Sequence, residues 1–599
     1  MRVLPGTPAQ AKKRREESGP GRHESLVHFL LYTRMSRAYD DHFTPMKPLD
    51  WVVMFSWLTF IVSYGLYRGR GSSTVDKYML AGRSMPWYAM GLSIMATQAS
   101  AITFISTTGQ SYIDGMRFVQ FYFGLPLAMI ILSATAVPIF HRANVYTAYE
   151  YLEQRFDAKT RAIVSAIFLI QRGLAAGLSL YAPAVVLSVI LGWPDRLTTV
   201  LMGLLVITYT ALGGIKAVTW SDVTQMTLIF GALILAMIMA VHLLPASVSF
   251  GQAVHLAGAI GKLNAVNFHF DMNDRYNVWS GLIGGMFLAL AYFGCDQSQV
   301  QRYLTGKSIA QSRLSLIFNA MAKIPMQAFI LFIGTMVFVF FIFERPPVLF
   351  QPVELKRVQT KPEFSAVQTR FQDAFEQRKS AAQSYLDALD KHDSTQTGAS
   401  LTAYRKAQGE LDKAHQDSEK LVEPKFNDTN YIFLSFVTKY LPAGVVGLII
   451  AVIFSAAMSS TSGEINSLAT VTIIDIYRRH IHKQGTDRHY LMASKIGTVF
   501  WGLYAIGFAQ FGKNFGALIE AVNMVGSLFY GGLLGVFVLA FGFKQVGANG
   551  AFYGVLIGEA AIFATSIFTN ISFLWFNVIG TVVVVASGLL ITRMAPARR

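Results

Sequence analysis

The chain has 599 residues, of which 53% are hydrophobic and 14% charged, and its mean hydropathy is +0.41. Its repeated apolar runs are long enough to cross a bilayer core of about 30 Å, which predicts an all-α polytopic membrane protein. The single cysteine, Cys295, excludes an intrachain disulfide framework and a cysteine-based metal site. In a membrane protein the formal charge of +16 first indicates basic cytoplasmic loops, so we expect no nucleic-acid partner.

Residues 1–45 are polar and include four consecutive basic residues. We expect this segment to be disordered, because it has too little apolar surface to form a core. One hypothesis is that the gene start is over-extended and that translation begins at Met35 or Met46.

Hydropathy predicts thirteen membrane-spanning segments in the rest of the chain. They lie near residues 51–67, 86–109, 118–140, 162–192, 197–212, 221–245, 278–294, 314–343, 431–475, 490–511, 516–541, 551–568 and 573–592. Basic residues follow the first and third segments. Further basic residues, among them Arg302, Lys307 and Arg313, are predicted on the same side of the membrane. The positive-inside rule then predicts a multi-pass protein of the cell (inner) membrane, with its N-terminus outside and its C-terminus in the cytoplasm.

Residues 344–430 divide the membrane domain into a first part, 46–343, and a second part, 431–599. This stretch is rich in Gln, Lys, Glu, Asp and Ala, and its apolar residues recur at helical spacing on both sides of the turn sequence DSTQTGAS. The pattern predicts an extracytoplasmic helical-hairpin insertion. We expect a solvated extension, with an arm that docks a protein partner as the alternative.

The predicted helix over 442–477 is polar in its middle, where residues 459–464 read SSTSGE. A carboxylate at bilayer depth costs at least about 2.5 kcal/mol, so these side chains should face protein, water or an ion. The alternative is that Ser and Thr merely allow close helix packing. Glu464 either neutralises a cation or titrates, or it stays protonated and hydrogen-bonded.

The segment 86–109 is also polar in its centre, from Ser93 to Ser106. Its small residues permit either close packing or an unwound stretch whose free carbonyls line a cavity. Discontinuous helices of the second kind form the midplane sites of secondary transporters. Carbonyls from this helix and hydroxyls from 442–477 would together suit a sodium ion.

Four stretches give the chain a resemblance to a known family. They read KYMLAGRSMPW, TALGGIKAVTWSDVTQ, FGCDQSQVQRYL and SAAMSSTSGEINSLATVTIIDIY, and they occur in order within residues 51 to about 545. In this combination the chain resembles the sodium/solute symporter family, which includes sodium/sugar, sodium/proline, sodium/iodide and sodium/monocarboxylate carriers. The insertion and residues 1–45 lie outside the resemblance.

The resemblance implies the leucine-transporter fold, in which two five-helix halves are inverted relative to each other. Segment 86–109 would open the first half, 278–294 would open the second, and 442–475 would be the eighth core helix. The family holds sodium between its first and eighth core helices. The implied ligands are the carbonyls of Ala96, Ala99 and Ala456 and the hydroxyls of Ser459 and Ser460.

Some members of the family hold a second sodium deeper in the protein. Asp222 and Ser462, together with Ser459, match ligands of that site, but Gly463 stands where some of those members have Ser. The alternative for Asp222 is an N-terminal cap of the predicted helix 221–245. The number of sodium ions, one or two, therefore stays open.

The resemblance also places the solute beside the sodium. The candidate contacts are Gln98, Thr103, Arg172, Tyr292 and Asp296. Asp296 alternatively serves a helix end. Arg172 lies one turn before the position, here Ala175, where relatives that carry acidic sugars place a carboxylate-binding Arg. It either reaches an anionic solute or snorkels to the cytoplasmic edge, and we expect snorkelling.

These features predict a sodium-coupled symporter, and no enzyme, that imports a small polar solute, a sugar or an organic anion, by alternating access. Sodium is the expected coupling ion, and the lipid bilayer and the solute are the expected partners. The alternatives are a membrane-embedded solute sensor on the same scaffold and a proton-coupled carrier, the latter suggested by Glu464 and Asp222.

Overall fold

The computed structural model describes residues 46–68, 75–212 and 215–594. Within these ranges the regular secondary structure is helical, and a single backbone bridge joins Met85 to Gly306. The expectations for residues 1–45 lie outside the described residues.

The first part of the membrane region contains the following helices: α1 (Pro48–Arg68), α2 (Val75–Leu80), α3 (Trp87–Gln98), α4 (Ala101–Asp114), α5 (Leu125–Ala134), α6 (Ala136–Ala143), α7 (Ala148–Arg155), α8 (Ala158–Leu191), α9 (Asp195–Leu212), α10 (Ile215–His242) and α11 (Phe250–Ala259). A π-helical turn, Ser280–Gly284, leads into the next group: α12 (Gly285–Gly294), α13 (Gln297–Leu304) and α14 (Ile309–Phe343).

The insertion contains α15 (Pro352–Val358), α16 (Phe364–Asp390) and α17 (Ser394–Val422). The remaining helices are α18 (Ile432–Tyr440), α19 (Val445–Val471), α20 (Asp487–Ala509), α21 (Leu518–Gly542), α22 (Ala548–Phe568) and α23 (Phe573–Met594). A π-helical segment, Thr472–Ile481, continues α19.

Nine helical segments of the described residues are long and apolar enough to cross a membrane, and Ser280–Gly294 is a shorter apolar helix. The predicted class, an all-helical multi-pass membrane protein, is confirmed. The count of about thirteen spans stays a prediction.

Segment 86–109 is not one continuous helix. The helix α3 ends at Gln98 and α4 begins at Ala101. Between them Ala99 has φ −90° and ψ 58°, and Ser100 has φ −73° and ψ 176°. These dihedral angles lie outside the helical range, so the predicted discontinuity is present.

The helix α19 lies at the centre of the bundle, where it packs against α1, α3, α8, α10 and α20. Its side chains from Ile449 to Val471 are buried. Because protein surrounds this helix, its polar residues meet other helices and not lipid, which is the condition under which a membrane helix tolerates them.

In the insertion, α16 and α17 pack against each other along their length. The apolar residues that recur at helical spacing form the contact, since Phe364, Phe371, Phe375 and Leu411 are buried in one cluster. The side chain of Asp393 caps α17 by accepting a hydrogen bond from the amide of Gln396. The location of these helices outside the membrane stays a prediction.

Candidate functional site: the helix break, two buried arginines and a central cavity

The α3–α4 break is held by Thr103. Its amide donates to the carbonyl of Ser100 at 2.9 Å, and its hydroxyl donates to the carbonyl of Gln98 at 3.1 Å. Neither bond uses the carbonyls of Ala96 or Ala99, which are the two that the resemblance assigns to sodium. Thr103, predicted as a solute contact, thus serves the geometry of the break.

The hydroxyls of Ser459 and Ser460 lie on α19, which packs against both α3 and α4. Ser459 donates its hydroxyl hydrogen to Asp222. The Ser460 hydroxyl is buried and has no hydrogen-bond partner among the described residues. Because an unpaired buried hydroxyl is costly, this oxygen is available to a ligand from outside the chain.

Asp222 is the centre of a buried polar cluster. One carboxylate oxygen accepts from Ser459, and the other accepts from Ser93 at 2.6 Å and from Arg302 at 3.0 Å. Asp222 lies in the second turn of α10, which begins at Ile215, so the alternative of an N-terminal cap is wrong. The carboxylate instead joins α3, α10, α13 and α19.

Arg302 was counted among the basic loop residues of the sequence, and this placement is wrong. It belongs to α13, only 1% of its surface is exposed, and its guanidinium also donates to Ser93 at 2.7 Å. A Cβ built on Gly463 would lie 2.6 Å from Nη2 of Arg302. Glycine at this position therefore leaves the room that the guanidinium fills.

Arg172 does not snorkel to the membrane edge, contrary to expectation. It is 3% exposed and donates to Glu464 at 3.0 Å, to the hydroxyl of Tyr530 at 2.9 Å, and to Asp296. Two carboxylates from α19 and from the start of α13 thus neutralise one guanidinium. Burying an arginine without such partners would be strongly unfavourable. The two carboxylates therefore explain why Arg172 stays inside the protein.

A cavity lies between the α3–α4 break and Arg172. Its lining includes Gln98, Tyr122, Arg172, Tyr292, Glu464 and Tyr530. Four polar atoms of the lining are buried without a partner in the described part of the chain, namely Oε1 of Gln98, Oε1 of Gln171, Nε of Arg172 and Oε2 of Glu464. The cavity therefore offers both hydrogen-bond acceptors and a donor to a small polar molecule.

The structure gives the two other predicted solute residues different roles. Tyr292 lines the cavity, accepts a hydrogen bond from Gln299 at 2.7 Å, and lies with its ring under the Arg172 guanidinium. Asp296 caps α13 through the amide of Ser298 at 2.9 Å and also holds Arg172. Asp296 serves the helix end, as the alternative predicted, and orients the arginine as well.

Lys323 is a residue that the sequence interpretation missed. It lies on α14, is fully buried, and its amine has no hydrogen-bond partner among the described residues. The amine lies 5.4 Å from the ring centroid of Tyr122, which lines the cavity. A lysine within a long apolar run is itself a sequence signal for a buried functional charge.

Comparisons with known proteins agree with this site. The model of the sodium:solute symporter family matches residues 78–367 and 410–558. The chain belongs to the sodium:solute symporter family. Membership makes it a multi-pass membrane carrier with sodium as its coupling ion, as the sequence predicted. The matched residues include the helix break, both arginines and the polar part of α19.

Several symporters are similar to the chain over most of their length. The sodium/sialic acid symporter NanT of Aliivibrio fischeri is 27% identical over 91% of this chain and 93% of the relative. The human sodium-coupled monocarboxylate transporter 1 is 27% identical over 87% and 73%. The sodium/glucose cotransporter of Vibrio parahaemolyticus is 26% identical over 85% and 83%.

A solved structure of a sodium-coupled sialic acid symporter in a substrate-bound outward-open state shares the fold. It superposes with a TM-score of 0.70, covers 92% of this chain and 98% of its own, and is 24% identical in sequence. The symporter fold of the described residues is therefore shown independently of the predicted span count.

Proposed function

We propose that this symporter binds one sodium ion between the α3–α4 break and Ser459 and Ser460 of α19, and couples its entry to import of a small polar solute. The carbonyls of Ala96, Ala99 and Ala456 would complete the set of oxygens. In this proposal α3 and α4 open the first of two inverted five-helix halves, and Ser280–Gly294 opens the second.

The observation that carries the sodium site is the unpartnered Ser460 hydroxyl, buried on the helix that packs against the break. A monovalent cation needs several neutral oxygens and no complete counter-charge, and carbonyls from a broken helix supply them. Sodium would stabilise the outward-open form and leave when the inner side opens. The membrane potential contributes about 2.3 kcal/mol per charge at 100 mV.

We propose that the solute, a sugar or an organic anion, occupies the cavity beside the break. Gln98, Arg172 and Tyr292 would contact it, and Asp296 would orient Arg172. The relatives carry sialic acid, monocarboxylates and glucose by their names, so they support a small polar solute without choosing among these classes.

We propose a single sodium, although Asp222 and Ser462 match ligands of a second site. Arg302 already donates to Asp222, and it fills the space above Gly463 where a further side-chain oxygen would stand. The guanidinium supplies the positive charge that a second ion would bring. Sodium activation is then expected to have a Hill coefficient of about 1.

Substitution of Ser460 tests the sodium site. We expect Ser460→Ala and Ser459→Ala to weaken sodium binding about tenfold or more, because each removes an oxygen ligand, and to change solute recognition less. The purified protein is titrated with sodium chloride against choline chloride at constant ionic strength and fixed pH, with the melting temperature as readout.

Ser467→Ala is the matched control for this test. Ser467 is a buried serine of the same helix, and its hydroxyl donates to the carbonyl of Glu464 at 2.8 Å. It should keep the wild-type sodium dependence. Unchanged sodium affinity in both Ser459→Ala and Ser460→Ala would contradict the assigned site, while sodium-driven uptake itself tests symport.

The proposal keeps the N-terminus outside, the C-terminus in the cytoplasm and the insertion on the external side, where a protein partner could dock. The solute-sensor alternative is not favoured by relatives that are carriers, and counterflow of labelled solute in proteoliposomes separates a carrier from a sensor. Proton coupling would be indicated if uptake continued after sodium was replaced by choline.

A further inference from the structure

Three metal-binding side chains meet at the base of the insertion, remote in sequence from the helix break. They are His415 and Glu419 of α17 and Asp428 in the segment that leads to α18. Their nearest ligand atoms all lie within 4.8 Å of one another. His415 and Glu419 are spaced i,i+4, which places both on one face of the helix.

The imidazole of His415 is fixed in the orientation that a metal site needs. Its Nδ1 lies 2.9 Å from the carbonyl of Val348, which can only accept, so Nδ1 is the donor of this bond. The other nitrogen, Nε2, then faces the two carboxylates. Metal-binding histidines characteristically donate their second ring N–H to such a carbonyl, which sets the tautomer.

The distances around Nε2 suit a tetrahedral ion. Nε2 lies 3.1 Å from Oδ1 of Asp428 and 3.8 Å from Oε1 of Glu419. Nitrogen and oxygen ligands at about 2.0–2.2 Å from a tetrahedral Zn²⁺ are separated by about 3.4 Å. Small rotations of the side chains therefore bring all three atoms to one ion, and a water would complete the fourth position.

Both carboxylates are also oriented by backbone amides. The amide of Phe350 donates to Oδ2 of Asp428 at 2.6 Å, and the amide of Asp428 donates to Glu419 at 2.9 Å. Asp428 is 1% exposed, whereas the side chains of His415 and Glu419 are 14% and 13% exposed. The cluster is thus rigid and still reachable by an ion from solvent.

The donor set of the cluster also favours a cation. The carboxylates of Glu419 and Asp428 both face one imidazole nitrogen of His415. Imidazole nitrogen and carboxylate oxygen are ligands that Zn²⁺ takes in proteins.

We propose that His415, Glu419 and Asp428 form a binding site for a divalent transition metal of the Zn²⁺ type. The site joins the insertion to the membrane domain, because the residue after Asp428, Thr429, presents its carbonyl to Gly109 of α4. Its occupation would stiffen the connection between α17 and the outer half of the broken helix. The proposal does not depend on the sodium site or on the identity of the solute.

The test uses the full-length protein in detergent after removal of metals with a chelator. Isothermal titration with ZnCl₂ should show one ion per chain, and Co²⁺ should give visible absorption typical of low-symmetry coordination. Because losing even a residue that only orients a ligand weakens metal binding about 10–100-fold, we expect His415→Ala and Asp428→Asn to weaken Zn²⁺ binding by at least about tenfold.

Asp428→Asn keeps an oxygen that can accept a hydrogen bond from the amide of Phe350. Loss of Zn²⁺ binding in this variant is therefore not explained by misfolding. His392→Asn is the matched control, since His392 is an exposed histidine of the same insertion whose φ of 54° asparagine tolerates. It should bind Zn²⁺ like the wild type. Absence of stoichiometric binding, or equal affinity in the control and both site variants, would show that the cluster is only a His–carboxylate ion pair.

Discussion

Two of the buried arginines, Arg302 and Arg172, are each neutralised by buried carboxylates but lie in different surroundings. Arg302 donates to Asp222 and Ser93 and lies against the bare backbone of Gly463. Its Nε has no partner among the described residues, like that of Arg172, but Arg302 is not among the residues that line the cavity. Arg172 is paired with Asp296 and Glu464 but lines the cavity, where its Nε and Oε2 of Glu464 have no partner among the described residues.

The difference indicates that the two arginines have different roles. A buried pair away from the cavity has no ligand with which to exchange partners, and any displacement leaves a charge unpaired in a medium of low dielectric constant. A pair with spare hydrogen-bonding capacity beside a cavity can exchange partners with a ligand. We therefore expect changes around Arg302 to affect stability first, and changes around Arg172 to affect solute binding first.

The largest effect is expected from Arg302→Met. It leaves the carboxylate of Asp222 buried without its cation, so the free energy of unfolding should fall by about 3–5 kcal/mol. Reversible denaturation in mixed detergent micelles measures it. The double variant Arg302→Met, Asp222→Asn removes both charges and should recover at least about 1 kcal/mol of the loss. Additive losses in the double variant would show that the two groups do not act as a pair.

A smaller effect is expected from Gly463→Ala. The new Cβ would lie 2.6 Å from Nη2 of Arg302. The guanidinium cannot move away freely, because its Nη1 is hydrogen-bonded to Ser93 and Asp222. Overpacking of this kind costs about 1–3 kcal/mol. The same exchange at Gly507 of α20, where nothing lies within 4 Å, is the control and should not destabilise. Equal stability of both variants would refute the close packing over Gly463.

The smallest effect on stability is expected from Glu464→Gln. The amide oxygen still accepts from Arg172, and Asp296 still neutralises it, so the loss should be about 1 kcal/mol. The cavity loses its free carboxylate oxygen, and the set of solutes that raise the melting temperature in the presence of sodium should change. A wild-type solute profile in this variant would place Glu464 outside the solute site.

Sequence reasoning found the break and the polar helix because both are visible locally. Polar residues from Ser93 to Ser106 and from Ser459 to Glu464 interrupt apolar runs, and hydrocarbon tolerates such interruptions only beside protein, water or ions. The predicted helices of the insertion likewise follow from apolar residues at a spacing of three and four, such as Phe364, Val367, Phe371 and Phe375.

Sequence reasoning failed where the answer depended on a partner far along the chain. Arg172 was expected to snorkel because its sequence neighbours are apolar, but Asp296 and Glu464, which lie 124 and 292 residues away in sequence, hold it inside. Arg302 stands in the polar stretch FGCDQSQVQRYL, which resembles a loop until α10 brings Asp222 to it. Neither the pairing nor the space above Gly463 has a local signal.

The close contact between Gly109 of α4 and Thr429 connects the polar insertion directly to the broken helix. The helix α4 packs against Thr429–Tyr431 and α18, so we expect α4 and the base of the insertion to move together. A fluorophore attached to α16 or α17 should then report the opening and closing of the transport pathway without altering the residues proposed to bind sodium and solute. An antibody fragment that binds the same two helices should slow transport without entering the cavity.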